Sequence, residues 1–350
     1  MKPEPANAQN RGWIQSPRYD LALLALSPLL GIAVCGIAWA VPAVVLGGAS
    51  LFLLGMPHYL STYTFYMDDS NLAYYRTRKV AFFLGPVLVV GFLTLALALH
   101  FYLLVAVVVD TWNVFHVSRQ SNGILSVYRH LGGGDNQSER LPANVALLAV
   151  SGGLYAVHIA KQPSFAHYFR YVPFDVAPYV GPVLLVVGGS ALAVLLVRMK
   201  RRQTPVARSE LVFLGASLVL FAPYVILDTR STATSAMLSG HYLQYMGLLW
   251  LLHHRKHQTV EGSAVQRALT EIARRPYRIV IFLLAIVAAT SLVDRTVHHF
   301  NAMGFHNWIL NVVVLLHFYL DGVFWAFKRP FVRESLGPYL LLPDHRLAAA

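Results

Sequence analysis

Fifteen histidines stand in a chain of 350 residues that is 56% hydrophobic and only 13% charged. So apolar a chain has little need of imidazole for solvation, so the histidines are the first place to look for chemistry. Imidazole is a common metal ligand and a proton carrier near neutral pH. Six fall in or at the ends of apolar runs: His58, in Gly55-Met56-Pro57-His58, then His116, His241, the pair His253 and His254, and His317. Polar neighbours recur at helical spacing. Asp110, Asn113, His116 and Gln120 step by three, three and four, one continuous polar face on a helix otherwise built of Val, Leu and Phe. His241, Gln244 and Tyr245 share a face, and so do His317 and Asp321 at i, i+4. Imidazole beside carboxylate is either two ligands or a ligand and the group that orients it.

A lone imidazole inside a bilayer is often a helix-to-helix hydrogen-bonding group, worth about 0.6 kcal/mol. Four apolar runs that each carry one, joined by two carboxylates, point further, to a shared metal or cofactor site. The ligand set expected is His58, His116, His241 and His317, with His253 and His254 as further metal candidates and Asp110 and Asp321 as ligands or partners of ligands. His254 lies thirteen residues beyond His241, roughly 220° round an ideal helix, so a site using both needs a bend or two metal positions. His100, His158, His167, His298, His299 and His306 fall on the opposite face or its loops. The single cysteine, Cys35, excludes a disulfide framework and an all-cysteine metal site. Imidazoles with carboxylates and no thiolate suit non-haem iron first, with zinc, copper or manganese as alternatives.

The elements that must position these groups are membrane helices. Ordinary soluble domains carry about 25% charged residues, and roughly 20 consecutive apolar residues cross a bilayer as a helix. The expected fold is all-α, a polytopic bundle of about ten spans. They lie near Asp20 to Trp39, Val44 to Tyr66, Val80 to Leu99, Tyr102 to Arg119, Asn144 to Ala160, Ala177 to Val197, Leu211 to Leu227, Ala233 to His254, Ile279 to Val293, and Trp308 to Phe327. With both termini in the cytoplasm, 24 of the 28 Lys and Arg fall on the inner side, leaving only Lys161, Arg170, Arg230 and Arg295 outside. That bias and attraction to anionic lipid headgroups account for the net charge of +12, with no nucleic-acid partner. The first span lacks a cleavage pattern and reads as a span, not a signal peptide. A single membrane domain over residues 1–350 with short cytoplasmic tails follows, and the implied location is a bacterial cytoplasmic membrane. Residues 132–134, three glycines before Asp135, read as a flexible turn. Residues 255–278 read as a short amphipathic helix on the membrane, with Val265, Leu269 and Ile272 at helical spacing.

Gly55-Met56-Pro57-His58, together with further histidines on later helices, resembles the Brp/Blh group of carotene-cleaving dioxygenases. The resemblance implies iron held by histidines from separate helices and an apolar polyene substrate. In general chemistry the chain is also similar to the His-rich membrane desaturases and hydroxylases. They use HxxxH and HxxHH boxes, whereas this chain has His253-His254-Arg255-Lys256-His257. The expectation is a membrane oxidoreductase, dependent on non-haem iron and oxygen, acting on a lipid or isoprenoid, with electron donor and oligomeric state open. The alternatives are a proton or metal-ion transporter using the same His and Asp residues, and a haem protein with paired axial histidines.

Overall fold

The computed structural model describes residues 12–134, 137–162, 177–299 and 303–341; helices dominate and strands are absent among them. Five helices are long and apolar enough to cross a membrane: Ala43–Met67, Val80–Ala98, Gln137–Ala160, Pro178–Arg201 and Arg208–Ile226. A sixth arises if Pro17–Ala25 and Pro28–Ile37, bent by 53° at their junction, count as one span. These features make the chain a membrane protein. Two further helices, Tyr102–Leu131 of 30 residues and Arg230–Lys256 of 27, are long enough to cross but carry the polar faces noted above. Pro276–Ala289 and Trp308–Phe324 are apolar and shorter.

The chain divides into two compact units, one of residues 1–51, 114–245 and 340–350, the other of residues 52–113 and 246–339. In the first, small residues let helices approach at backbone distance. A Cβ on Gly181 would lie 2.8 Å from Val157 N, and one on Gly188 2.8 Å from Val150 N, which ties Ala177–Arg201 to Gln137–Ala160 along an antiparallel seam. Likewise a Cβ on Gly31 would lie 2.6 Å from Ala236 O, and one on Gly240 2.7 Å from Ser27 O. The same unit holds a buried ionic quartet. Arg129 Nε lies 3.0 Å from Glu210 Oε1 and 3.2 Å from Glu139 Oε2, and Arg202 Nη2 lies 2.7 Å from Glu210 Oε2. The triple glycine ends Tyr102–Leu131: Gly133 takes the left-handed conformation (φ 79°) and Gly134 N donates to Arg129 O (2.9 Å). A flexible turn was expected there; a turn forms, with its amides bonded back to the end of the helix.

The second unit is built on aromatic packing. Tyr75 stacks on Phe82 at 4.1 Å between centroids, and Tyr74 on Phe331 at 3.8 Å. Phe65 and Phe324 pack at 4.9 Å. The amphipathic helix forms over Ala264–Ala273, capped by Ser263. Leu269 is fully buried and Val265 is exposed, so Leu269 packs on protein while Val265 is left to solvent or lipid.

Prolines set a recurring problem in both units. A proline has no N–H, so a carbonyl in the preceding turn loses its partner, which is costly in lipid. Distant side chains fill the gap. Leu24 O, four residues before Pro28, accepts from Gln244 Nε2 (2.5 Å). Phe82 O, four before Pro86, accepts from the Tyr66 hydroxyl (2.7 Å). Ala81 O, five before Pro86 in the π-helical turn Val80–Leu84, accepts from the Tyr319 hydroxyl (2.9 Å). Ser138 O, four before Pro142, accepts from Arg198.

Candidate metal centre

Four buried histidines fall into two close pairs. In the first, His116 on Tyr102–Leu131 and His241 on Arg230–Lys256 meet edge to face, ring centroids 5.4 Å apart and planes at 89°. Both rings are buried, for the reason the sequence gives: the helix faces carrying them are too polar for lipid. Gln120, one turn beyond His116, has both amide atoms buried without a hydrogen-bond partner. Gln244, expected beside His241, is instead spent on Leu24 O.

In the second unit, His58 and His317 lie 4.4 Å apart between centroids, at 64°. His58 sits in the short helix Met56–Ser61, directly after the π-helical turn Leu51–Gly55. Tyr59 packs against both rings, 5.3 Å from each. Thr62 Oγ1 lies 2.7 Å from His317 Nδ1 and donates to Asp321 Oδ1 at 3.0 Å. Asp321 Oδ2 lies 3.8 Å from His317 Nε2.

His58, His116, His241 and His317 together form one buried group that can hold a metal ion: each offers a ring nitrogen, and these nitrogens lie within 4.8 Å of one another. The donor set fits a divalent transition metal. Four neutral imidazoles are intermediate-soft ligands, and bonds of about 2.0–2.1 Å put facing ligand nitrogens about 4 Å apart.

The other predicted residues stand in different surroundings. His253 Nε2 lies 2.8 Å from Thr64 Oγ1, and the Thr64 proton goes to Ser61 O (2.6 Å), so His253 is the donor. Its ring faces His257 at 5.6 Å. His254 stacks on Trp250 and its Nδ1 lies 3.2 Å from Ala273 O, where only donation is possible. The metal-capable group does not include either of them. Asp321 belongs to the second unit's network through Thr62. Asp110 lies half-buried on the helix of His116, two turns before it. Beyond the cluster, His158 Nδ1 donates to Tyr224 O at 2.9 Å, while His167 lies outside the described residues.

Sequence reasoning missed Thr62, although it stands one helical turn after His58. It also missed a polar knot below the second unit's aromatic core. There Lys256 Nζ lies 2.7 Å from Asp68 Oδ2 and 2.8 Å from Ser335 Oγ, and His257 Nε2 lies 3.4 Å from the same Asp68 oxygen. Burial pushes the Asp68 carboxyl up, but the His257 and Lys256 contacts outweigh it and hold the group well below the ordinary carboxylate range. Comparison with protein-family models, curated proteins and solved structures finds no match.

Proposed function

We propose that the chain is a membrane oxidoreductase of about ten spans, with both termini in the cytoplasm of a bacterial cell, and that His58, His116, His241 and His317 hold a non-haem iron. The buried four-histidine group carries this reading. The metal would supply a Lewis-acidic, redox-capable centre. The chain's own residues bind and orient it: the four imidazoles as ligands, Asp321 through Thr62 as a support for His317, and Asp110 as a carboxylate on the helix of His116. The substrate is a lipid or isoprenoid, since only an apolar molecule reaches a centre enclosed by apolar helices directly from the bilayer. Tyr59, packed on two of the rings, restricts the approach.

Elemental analysis and an absorption spectrum of the purified protein test this. Stoichiometric iron is expected in the wild type, and its loss in His58→Ala and in His317→Ala. Fully active wild-type protein without metal would sink the reading; a Soret band would replace it with a haem protein. Reporter fusions test the topology. Fusions after Arg202 and Lys328 are expected to read cytoplasmic, and fusions near Lys161 and Arg230 external; reversed signs at both pairs overturn the span order.

A transporter is the second reading, favoured by one observation. The helix pair Pro17–Ala25 and Pro28–Ile37 is bent by 53°, and broken helices line substrate paths in many transporters. Metal-dependent flux in proteoliposomes that survives without any turnover of lipid would favour it.

A further inference from the structure

Lys256 closes the helix Arg230–Lys256, and oxygens from two other segments surround its ammonium. Nζ lies 2.7 Å from Asp68 Oδ2, 2.8 Å from Ser335 Oγ, 3.3 Å from Asn71 Oδ1 and 3.4 Å from Ser70 Oγ. Asp68, Ser70 and Asn71 stand at the start of the helix Asp69–Thr77, and Ser335 lies in Pro330–Leu341. The Lys256 and Asp68 side chains are 11% and 2% exposed.

The other bonds of these groups fix what each oxygen offers. Ser70 Oγ gives its proton to Asp68 Oδ1 (2.6 Å), and Ser335 Oγ gives its own to Asn71 Oδ1 (3.0 Å). Asn71 Nδ2 donates to Phe65 O (3.4 Å), which turns the amide oxygen the other way. Asp68 Oδ1 caps its helix by accepting from Asn71 N (3.0 Å), which leaves Oδ2 for the lysine. A hydroxyl has one proton and a carboxylate none, so all four oxygens meet Nζ as acceptors. The cage carries one negative charge and no donor, the kind of shell that replaces the hydration of a hard cation.

An ammonium fills such a cage imperfectly, because it has three protons for four oxygens. Ser335, Asn71 and Ser70 accept hydrogen bonds, while Asp68 Oδ2 meets the charge closely but without hydrogen-bond geometry. A spherical ion of similar size has no such choice to make.

We propose that these four oxygens are a site for a small monovalent cation, K+ or NH4+, and that the Lys256 ammonium is its tethered occupant. The tethered charge binds intramolecularly, so the three segments stay joined whatever ions surround the protein.

The test uses Lys256→Ala, which removes the ammonium and opens the cage. Its thermal unfolding midpoint in a non-ionic detergent is followed by circular dichroism. K+ or NH4+ is exchanged against tetramethylammonium at constant chloride, so that screening stays fixed. Tetramethylammonium is too large for the cage and has no N–H to give. An ion that binds only the folded form stabilises it with the logarithm of its concentration. The midpoint of Lys256→Ala is therefore expected to rise by about 3 °C per tenfold increase in K+ or NH4+ once the site fills. The wild type, and Lys256→Ala combined with Asp68→Asn, are expected to show no such dependence. Equal midpoints in K+, NH4+ and tetramethylammonium overturn the proposal, as does a rise that survives in the double variant. A second measurement needs only the wild type. Under reductive methylation read by peptide mass spectrometry, Lys256 is expected to react at least about tenfold more slowly than the exposed Lys79, because its nitrogen must first leave the cage. Equal rates overturn the proposal even if Lys256→Ala does not fold.

Discussion

Removing Glu210 is expected to unfold the first unit more readily than removing Glu210 and Arg202 together. The four side chains of the quartet are at most 5% exposed, with two positive and two negative charges. Glu210 faces both guanidiniums, at 3.0 and 2.7 Å. Glu210→Leu leaves Arg129 and Arg202 to share Glu139 alone, with one buried positive charge unmatched. Breaking a buried pair from one side costs about 3–5 kcal/mol. There is little slack to absorb it, since Arg129 Nη2 and Glu139 Oε1 are already buried without a hydrogen-bond partner. The double variant Arg202→Met with Glu210→Leu removes one charge of each sign and keeps Arg129 Nε against Glu139 Oε2 at 3.2 Å. Exchanging a buried pair for apolar groups of similar volume is often neutral or stabilising, so the double variant is expected to be the more stable of the two by about 2 kcal/mol or more, because it avoids most of the one-sided penalty. Unfolding by SDS in mixed micelles reads the difference, with metal content of the folded fraction as a check that the site is untouched. If the single variant is as stable as the wild type, or the double variant no better than the single, the buried-charge reasoning is wrong.

Gly31→Ala is expected to destabilise by about 1–3 kcal/mol, the usual cost of overpacking, because its Cβ would meet the backbone Ala236 O at 2.6 Å, and a backbone atom cannot rotate away; the same micelle assay decides, and an unchanged midpoint refutes it. Acid sensitivity should follow Asp68. Its folded pKa lies below its ordinary value of 3.8, so its contribution to stability is complete above that value and is lost as pH falls below it toward the folded pKa. Asp68→Asn is therefore expected to lower stability at neutral pH and to shrink the gap to wild type below about pH 4; a gap constant with pH contradicts the assignment.

The helices and the four rings were legible because each depends on local spacing. The face from Asp110 through Asn113 and His116 to Gln120 announces that a helix cannot turn to lipid, and His317 with Asp321 does the same within one turn. Contacts that depend on distant partners were not legible. Arg202 read as one of several basic residues at the membrane face, yet its partners Glu139 and Glu210 bury it. Gln244 falls on the face of His241 by spacing, but the carbonyl freed by Pro28 claims it across 220 residues of chain. His253 and His254 were further metal candidates by sequence; in the fold His253 lies against Thr64 and His254 against Ala273 O. Spacing records which face a residue shares, and says nothing of which neighbour reaches it first.

The prolines and the side chains that serve them have a consequence for how this sequence can drift. Tyr66 and Tyr319 serve Phe82 O and Ala81 O, two carbonyls of the turn before Pro86, whose missing N–H takes the helical partner from one of them. With the proline present, either tyrosine changed to phenylalanine strands a carbonyl in the bilayer. With Pro86 first replaced by alanine, an N–H returns that can serve one of the two carbonyls, and one hydroxyl becomes dispensable. The two mutational orders are thus unequal: proline before tyrosine is a passable route, and tyrosine before proline crosses a less stable intermediate. Pro28 and Gln244 form a second such one-way pair. Substitutions at these positions are historically contingent, so their tolerance depends on which member of the pair has already changed.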